Sequence, residues 1–324
     1  MNPDDEIVYD TTPRLIRVFK SGRVERYLCT DATPASVDPA TGVSSKDVLV
    51  SPETGVSARL YIPRLREGDR PEKKLPVLVY FHGGGFCLGS AFIPLFHNYL
   101  NSLVAQAHVV AVSADYRLAP EHPVPTAHDD SWTVLRWVAG HAGGVGGPAA
   151  EAWLAERADF ERVFLAGESA GANIAHHMAM RAGIGGLPCG VRIRGVALIH
   201  PYFLGSDRVE SAEIYPAATE NLETLWRTMC PSSSGLDDPM INPVAEAAPS
   251  LAGLGCDRAL VCVGGADALR DRGRAYYGRL RESGWEGEAT LFEAEGKAHT
   301  FHLFETDCEE AIAQHRAVCS FLNL

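Results

Sequence analysis

The chain has 324 residues, 46% of them hydrophobic, and no Ser/Pro/Gly-rich linker divides it, so we expect a single domain over residues 1–324. Its 41 acidic and 29 basic residues give a formal charge of −12, which argues against nucleic acid or an anionic membrane as a partner. No apolar run is long enough to span a bilayer, and the acidic start does not resemble a secretory signal.

The cysteine pattern indicates a cytoplasmic protein. The cysteines form no Cys-x-x-Cys pairs and several lie in apolar segments, as is typical of reduced, buried thiols. No metal-ligand spacing such as His-Glu-x-x-His is present, so we expect neither a metal nor an organic cofactor. The glycine-rich residues 143–147 indicate a flexible surface loop. The eight cysteines are Cys29, Cys87, Cys189, Cys230, Cys256, Cys262, Cys308 and Cys319.

The hydrophobic pattern changes along the chain. Residues 24–29 and 56–62 alternate in the manner of half-buried strands, and we expect them to form an antiparallel edge. From residue 75 onward, uniformly apolar strands alternate with helices, which predicts a mostly parallel sheet covered by helices on both faces. The predicted strands are 75–81, 108–113, 162–166, 193–199, 258–264 and 288–293, and the predicted helices are 94–105, 129–139, 172–178, 269–283 and 305–322.

Two further features concern the segments between these elements. The residues Asp129-Asp130-Ser131 are predicted to cap the helix that follows them. Residues 202–249 are rich in Pro, Ser and Asp around one amphipathic segment, 222–229, and we expect them to form a cap over the strand ends.

The strand 75–81 runs directly into His82-Gly83-Gly84-Gly85-Phe86. Consecutive glycines allow the backbone to approach a ligand closely and to direct its N–H groups at one oxygen. Loops of this HGGG type complete the oxyanion hole of lipases and esterases. The sequence therefore predicts the amides of Gly84 and Gly85 as oxyanion donors, with a flexible glycine turn as the alternative.

A second motif, Gly167-Glu168-Ser169-Ala170-Gly171, lies between an apolar strand and a helical segment. A G-x-S-x-G nucleophile elbow requires this strand–turn–helix context, because the serine occupies a strained turn whose flanking glycines avoid collisions with neighbouring chain. We predict Ser169 as the nucleophile and the amide of Ala170 as a third oxyanion donor.

A serine nucleophile needs a base and an acid, which follow it in this fold class in the order Ser, Asp/Glu, His. Asp267 comes just after the predicted strand 258–264, at the carboxyl end where such sites gather. Asp257 precedes that strand and Asp271 lies within the next helix. His299 and His302 both follow the strand 288–293, and we predict the nearer one, His299, as the base.

Together these segments closely resemble the plant carboxylesterases, a hormone-sensitive-lipase-like branch of the α/β-hydrolases. The resemblance implies an α/β-hydrolase fold with a cap from residues 1–20 and 202–249, and a serine carboxylesterase that acts on small ester or acetylated metabolites. Ser169, Asp267 and His299 match the family's catalytic triad by position. The matching segments are 13–26, 82–86, 115–123, 129–132, 167–174 and 299–302.

Two related groups keep other functions open. Gibberellin receptors share the fold and bind a hormone, but they typically lack the catalytic histidine that this chain keeps at His299. The 2-hydroxyisoflavanone dehydratases use a similar site to eliminate water, and fold and triad do not fix the substrate.

Two structural roles are also predicted. Arg117 and Glu121 are expected to form a pair that stabilises the loop after strand 108–113. Several aromatic residues are candidates for an apolar wall of the substrate pocket, with ordinary core as the alternative. They are Phe19, Phe86, Phe203, Tyr215 and Trp226.

Overall fold

The computed structural model describes residues 6–11, 15–28, 30–65, 73–144 and 151–323. The strands are β1 (Ile7–Asp10), β2 (Ile16–Phe19), β3 (Val24–Arg26), β4 (Ser44–Ser51), β5 (Val56–Ile62), β6 (Leu75–Phe81), β7 (Val110–Asp115), β8 (Ala158–Glu168), β9 (Ile193–Ile199), β10 (Cys256–Gly264) and β11 (Glu288–Ala294). The helices are α1 (Pro94–Ala107), α2 (Thr126–Gly140), α3 (Ala152–Arg157), α4 (Ala170–Gly185), α5 (Glu210–Ile214), α6 (Pro216–Met229), α7 (Arg270–Glu282) and α8 (Glu309–Phe321).

A twisted sheet of eight strands in the order β11-β10-β9-β8-β6-β7-β5-β4 forms the centre of the fold. The six strands from β6 to β11 run parallel, whereas β4 and β5 are antiparallel to their neighbours. Each predicted apolar strand is present, with its ends moved by a few residues. The prediction of a mostly parallel sheet is therefore confirmed.

Helices cover both faces of this sheet because the parallel strands are apolar on both sides. Strand β6 is buried along its whole length. Val77 and Val79 pack in one core cluster with residues of α2 and α4, and Leu78 and Tyr80 pack in the other with residues of α1 and α8. Because the strands run parallel, the carboxyl ends of β6, β8, β9, β10 and β11 lie at one edge of the sheet, where the predicted site residues are found.

The predicted antiparallel edge is partly wrong. Residues 24–26 belong to a separate three-stranded sheet, β1-β2-β3, in which Val24 pairs with Val18. Strand β5 pairs with β7 and with β4, which was not predicted. The sequence of β4, Ser44-Ser45-Lys46-Asp47-Val48-Leu49-Val50-Ser51, begins with four polar residues, so it lacks the alternation by which a strand is recognised. Residue 29 lies outside the described residues.

The expected cap at the start of the second helix is also wrong. Helix α2 begins at Thr126, before the proposed capping residues, and Pro125 precedes it. The Asp130 carboxylate instead accepts hydrogen bonds from the backbone N–H and the guanidinium of Arg117, at 2.7 to 3.0 Å. Glu121 pairs with Arg26 of β3. The predicted Arg117–Glu121 pair is therefore replaced by two separate ion pairs, each of which anchors the loop after β7.

The segment 202–249 carries α5 and α6 and contributes Leu222 and Leu225 to the cavity beside Ser169. From the N-terminal segment, Thr11 and Ile16 also line this cavity, while residues 1–5 and 12–14 lie outside the described residues. None of the five aromatic candidates lines it. Phe86, Phe203 and Trp226 are fully buried core residues, Phe19 is buried in the N-terminal sheet, and Tyr215 is half-buried beside α6.

Three other expectations concern membrane helices, cysteines and domain organisation. Within the described ranges, no helix has the length and apolar character that crossing a membrane requires. The seven cysteines of the described ranges are all free thiols. Part of the predicted glycine loop, residues 145–147, lies outside the described residues, and the single-domain organisation stays a prediction.

Candidate active site

Ser169 lies in a sharp turn between β8 and α4. Its backbone has φ 55° and ψ −119°, a region that non-glycine residues rarely occupy. The turn is held on both sides, because the Ser169 N–H donates to the Ile199 carbonyl at 2.9 Å and the Ser169 carbonyl accepts from Tyr202 N–H at 3.0 Å. A Cβ at Gly171 would collide with the carbonyl oxygen of Phe81. Glycine there lets α4 begin directly against the end of β6.

The structure brings the three predicted triad residues into hydrogen-bond contact. Nε2 of His299 lies 2.9 Å from Oγ of Ser169, and Nδ1 of the same ring lies 2.7 Å from Oδ2 of Asp267. The loops after β10 and β11 are joined by the Ala266 N–H, which donates to the Lys297 carbonyl at 2.9 Å. This backbone bond explains how the two distant side chains come together.

Asp267 is 3% exposed, and its second carboxylate oxygen accepts the Leu269 N–H at 2.9 Å. Burial alone would raise the pKa of Asp267, but the neighbouring imidazoles of His299 and His200 outweigh burial and hold that pKa well below its usual range. The carboxylate is therefore ionised at neutral pH. It can fix the imidazole tautomer of His299 and stabilise its protonated form.

His200 lies at the edge of this group. Its Nδ1 accepts the Thr300 N–H at 3.1 Å and its Nε2 contacts the Gln314 amide oxygen at 3.0 Å. Ligand atoms of His200, Asp267 and His299 lie within 4.8 Å of one another, which makes them a possible metal-binding group within the described ranges. Their nitrogen and oxygen atoms already take part in hydrogen bonds to protein groups, so the arrangement fits a proton-transfer chain better than a metal site.

The predicted oxyanion loop lines the same cavity as Ser169 and His299. In the described part of the chain, the N–H groups of Gly84 and Gly85 have no hydrogen-bond acceptor. Ala170 is the first residue of α4, so its N–H lacks an intrahelical partner. A Cβ at Gly85 would lie 2.5 Å from Cδ2 of Leu225, which shows that α6 of the cap packs directly on this loop.

Glu168 is a site residue that the sequence reasoning did not single out. It is fully buried, and its carboxyl group accepts the Gly83 N–H and is hydrogen-bonded to the Tyr80 hydroxyl. Complete burial raises the pKa of Glu168, and the two hydrogen bonds lower it. Burial is the larger effect, and the resulting pKa is about 8. Glu168 therefore ties the turn of Ser169 to the start of the oxyanion loop. Its position as the variable residue of the G-x-S-x-G motif carried no signal of this role.

Comparison with known proteins agrees with this geometry. A family model described as the α/β hydrolase fold matches residues 78–303. "Probable carboxylesterase 2" of Arabidopsis thaliana is 43% identical over 98% of this chain and 97% of its own. The chain belongs to the plant carboxylesterase family of α/β hydrolases.

Other relatives in the family are named for different activities. "Tuliposide A-converting enzyme 1, chloroplastic" of Tulipa gesneriana is 50% identical over 99% of this chain and 79% of its own. "2-hydroxyisoflavanone dehydratase" of Glycyrrhiza echinata is 44% identical over 96% of this chain and 94% of its own. Family membership confirms the predicted resemblance, but it does not by itself select one reaction.

Solved structures give the same fold. An esterase from Pyrobaculum calidifontis superposes with a TM-score of 0.69 at 28% identity, covering 86% of this chain and 84% of its own. Esterase LipW from Mycobacterium marinum gives a TM-score of 0.70 at 30% identity, covering 87% and 81%. The predicted α/β-hydrolase fold is confirmed, and the chain is a carboxylesterase-like α/β hydrolase.

The protonation of Glu168 has a measurable consequence for stability. Its pKa of about 8 in the folded protein exceeds that of an unfolded glutamate, so its contribution is complete at low pH and is lost as the pH rises toward 8. Each pKa unit corresponds to about 1.4 kcal/mol. We expect the Glu168→Gln protein, which cannot ionise there, to lose much less free energy of unfolding than wild type between pH 5 and pH 8 in urea titrations.

Glu121→Gln is the control for this measurement. The hydrogen bond from Arg26 is the main cause of the lowered pKa of Glu121, so its titration falls below pH 5. In Glu121→Gln, the free energy of unfolding is expected to change between pH 5 and pH 8 by the same amount as in wild type. If the free energy of unfolding of Glu168→Gln also fell with pH as steeply as that of wild type, the buried carboxyl group would not hold a proton in the folded state.

Proposed function

We propose that this chain is a serine carboxylesterase that hydrolyses small neutral esters through an acyl-enzyme. The observation that carries the proposal is the continuous chain of contacts from the Ser169 hydroxyl through both nitrogens of His299 to Asp267, at 2.9 and 2.7 Å. Ser169 and His299 line a cavity that is also lined by Gly84 and Gly85.

The geometry supports the following sequence of steps. Oγ of Ser169 attacks the acyl carbon while Nε2 of His299 takes the hydroxyl proton, and the carbonyl electron pair moves onto the oxygen. The amides of Gly84, Gly85 and Ala170 donate to this oxyanion. When the tetrahedral intermediate collapses, the bond to the alcohol breaks and His299 returns the proton to the leaving oxygen. Water then repeats the sequence on the acyl-enzyme.

The cavity favours an uncharged acyl group of limited size. Its volume is about 270 Å³, and most of its lining is aliphatic or aromatic. Glu168 is its one acidic lining residue in the described ranges, and that group is buried with a raised pKa. A charged acyl group would lose its hydration here without gaining an opposite charge. The apolar lining consists of Leu15, Ile16, Leu28, Cys87, Leu88, Leu95, Phe96, Leu222, Leu225, Leu303 and Phe304.

Pre-steady-state kinetics with p-nitrophenyl acetate test the proposal. We expect a burst of p-nitrophenol equal to the enzyme concentration, followed by slower turnover, because acylation and deacylation are separate steps. Mass spectrometry of the quenched protein should find the acetyl group on the peptide that contains Ser169. Turnover without a burst, with no acylated serine, would contradict the acyl-enzyme.

A dehydratase is the second candidate, because a named dehydratase is 44% identical to this chain. The imidazole of His299 could remove a proton from carbon instead of from Ser169. Such an enzyme would convert a β-hydroxy ketone and leave Ser169 unmodified, so mass spectrometry during turnover separates the two reactions. A hormone receptor is less well supported, since His299 is present and in contact with Ser169.

The cytoplasmic location remains a proposal that rests on the sequence. A plastid is the competing location, because the name of the tulip relative includes "chloroplastic". Imaging of a fluorescent fusion in plant cells would distinguish them. The absence of a metal, an organic cofactor, a nucleic-acid partner and a membrane partner likewise stays a prediction.

A further inference from the structure

Tyr116 lies in the loop after β7, and its hydroxyl group meets the chain where β6 leads into the oxyanion loop. The Tyr116 O–H donates to the His82 carbonyl at 2.6 Å, and its oxygen lies 3.2 Å from Nδ1 of the His82 ring. The tyrosine is 3% exposed and does not line the cavity at Ser169. The catalytic steps proposed above therefore give this buried hydroxyl no role.

The peptide group between His82 and Gly83 is held at both of its polar ends. Its carbonyl oxygen accepts the Tyr116 O–H, and its N–H donates to the carboxyl group of Glu168. Because a peptide group is planar, it cannot rotate here without breaking one of these bonds. A Cβ at Gly83 would lie 2.9 Å from the Glu168 carbonyl oxygen and 3.3 Å from Cβ of Ser169, so this peptide packs directly on the nucleophile's turn.

The next peptide group carries the free N–H of Gly84. Its carbonyl oxygen, which belongs to Gly83, accepts a hydrogen bond from Nδ1 of His82 at 2.8 Å. Burial lowers the pKa of His82, so the ring is neutral at pH 7 and carries one N–H, which this carbonyl acceptor places on Nδ1. The N–H and C=O of a trans peptide point in opposite directions. The imidazole that holds the carbonyl therefore also sets the direction of the Gly84 N–H.

The N–H of Gly85 is directed in a different way. The Gly84 carbonyl accepts the N–H groups of Cys87 and Leu88 at 3.0 and 2.9 Å, and the same planarity then fixes the Gly85 N–H. In the described part of the chain, the direction of the Gly85 N–H thus depends on a backbone turn, whereas that of the Gly84 N–H depends on side chains.

The Tyr116 hydroxyl orients the His82 ring as well as the His82 carbonyl. Its oxygen lies beside the Nδ1–H that binds the Gly83 carbonyl, and the two rings stack with centroids 4.2 Å apart and an interplanar angle of 10°. Phe96 also stacks on the imidazole, at 5.3 Å. Nε2 of His82 has no hydrogen-bond partner among the described residues, so the ring is oriented by its Nδ1 contacts and by stacking.

We infer that the Tyr116 hydroxyl is a positioning group for the oxyanion hole, because it fixes the His82 carbonyl and ring and, through them, the direction of the Gly84 N–H. Amide donors are most effective when they already point at the place where the oxyanion forms. Without the hydroxyl, the transition state should lose more stabilisation than the bound substrate. The inference rests on the proposed ester hydrolysis, in which a carbonyl oxygen becomes negatively charged.

Comparison of p-nitrophenyl acetate with its thionoester, in which sulfur replaces the carbonyl oxygen, tests the inference. Sulfur is a weak hydrogen-bond acceptor, so the thionoester gains little from amide donors. In Tyr116→Phe, which keeps the ring stack, we expect kcat for the oxygen ester to fall about tenfold with KM unchanged, which is less than the ~10²- to 10³-fold cost of losing a whole donor. Turnover of the thionoester should stay near the wild-type value, so the ratio of the two kcat values falls.

Tyr276→Phe is the matched control. Tyr276 is fully buried, its hydroxyl lies 3.0 Å from Nδ1 of His176, and it does not line the cavity at Ser169. Each variant loses a buried hydroxyl beside a histidine, so both should unfold at a lower temperature than wild type, but only Tyr116→Phe should change the ratio. A wild-type ratio in Tyr116→Phe, or an equal fall in both variants, would overturn the inference. Absence of a p-nitrophenol burst from the wild-type protein would instead overturn the proposed hydrolysis.

Discussion

Replacement of Ser169 by alanine is expected to lower kcat for p-nitrophenyl acetate by about 10⁶-fold. The variant keeps the cavity, His299, Asp267 and the free amides of the oxyanion loop, but it has no oxygen to form the acyl-enzyme. Residual catalysis from binding and the oxyanion donors typically amounts to about 10³- to 10⁴-fold over the reaction in water. Steady-state turnover of the purified variant at high enzyme concentration measures the loss.

The matched control for this prediction is Ser113→Ala. Ser113 is a fully buried serine in β7 whose hydroxyl has no hydrogen-bond partner among the described residues. Removing that hydroxyl costs no hydrogen bond, so turnover should remain at the wild-type level. If Ser169→Ala lost less than about 10²-fold while retaining its thermal stability, the hydroxyl would not be the nucleophile, and the acyl-enzyme proposal would fail.

The site residues could be predicted because short motifs report local backbone geometry. The G-x-S-x-G elbow and the HGGG loop require particular glycines beside particular strands, and both patterns are visible in the sequence. Asp267 and His299 followed from their places just after two predicted strands. The structure places His299 in contact with Ser169 and Asp267 in contact with His299, while their catalytic roles stay predictions that the variants must test.

Tertiary partners explain what the sequence could not reveal. Asp130 looked like a helix cap because Asp is common there, but its carboxylate bonds with Arg117, thirteen residues earlier. Glu168 acts through Gly83, which precedes it by 85 residues. No periodic pattern encodes such distant pairs. The aromatic candidates failed for a related reason, since the sequence pattern does not show whether a large apolar side chain faces the core or a cavity.

The oxyanion loop is held from three directions. Glu168 binds its start through the Gly83 N–H, and Leu225 of α6 packs on Gly85. From the N-terminal sheet, the Arg26 guanidinium donates to the Cys87 carbonyl at 2.7 Å and to the Ala119 carbonyl at 3.1 Å. The cap and the N-terminal sheet therefore do more than cover the cavity, because both contact the chain that presents the free amides.

Replacement of Asp267 by asparagine is expected to lower kcat by about 10⁴-fold through the histidine tautomer. The Leu269 N–H donates to Oδ1 of Asp267 at 2.9 Å, so an asparagine must keep its oxygen at that position. Its NH₂ group then faces Nδ1 of His299, where it can only donate. That hydrogen bond places the ring proton on Nε2, and the imidazole can no longer accept the proton of Ser169.

The same substitution at the opposite end of β10 is the control for this effect. Asp257 pairs with Arg192 and Arg194 on the protein surface, so Asp257→Asn removes a carboxylate without touching the imidazole. Exposed ion pairs contribute little to stability, and turnover of Asp257→Asn should match wild type.

Nitrogen NMR of His299 in Asp267→Asn would report the protonated nitrogen directly. An Nδ1–H tautomer together with a large loss of kcat would show that the carboxylate acts through charge, whereas an Nε2–H tautomer would establish that it acts by orienting the proton.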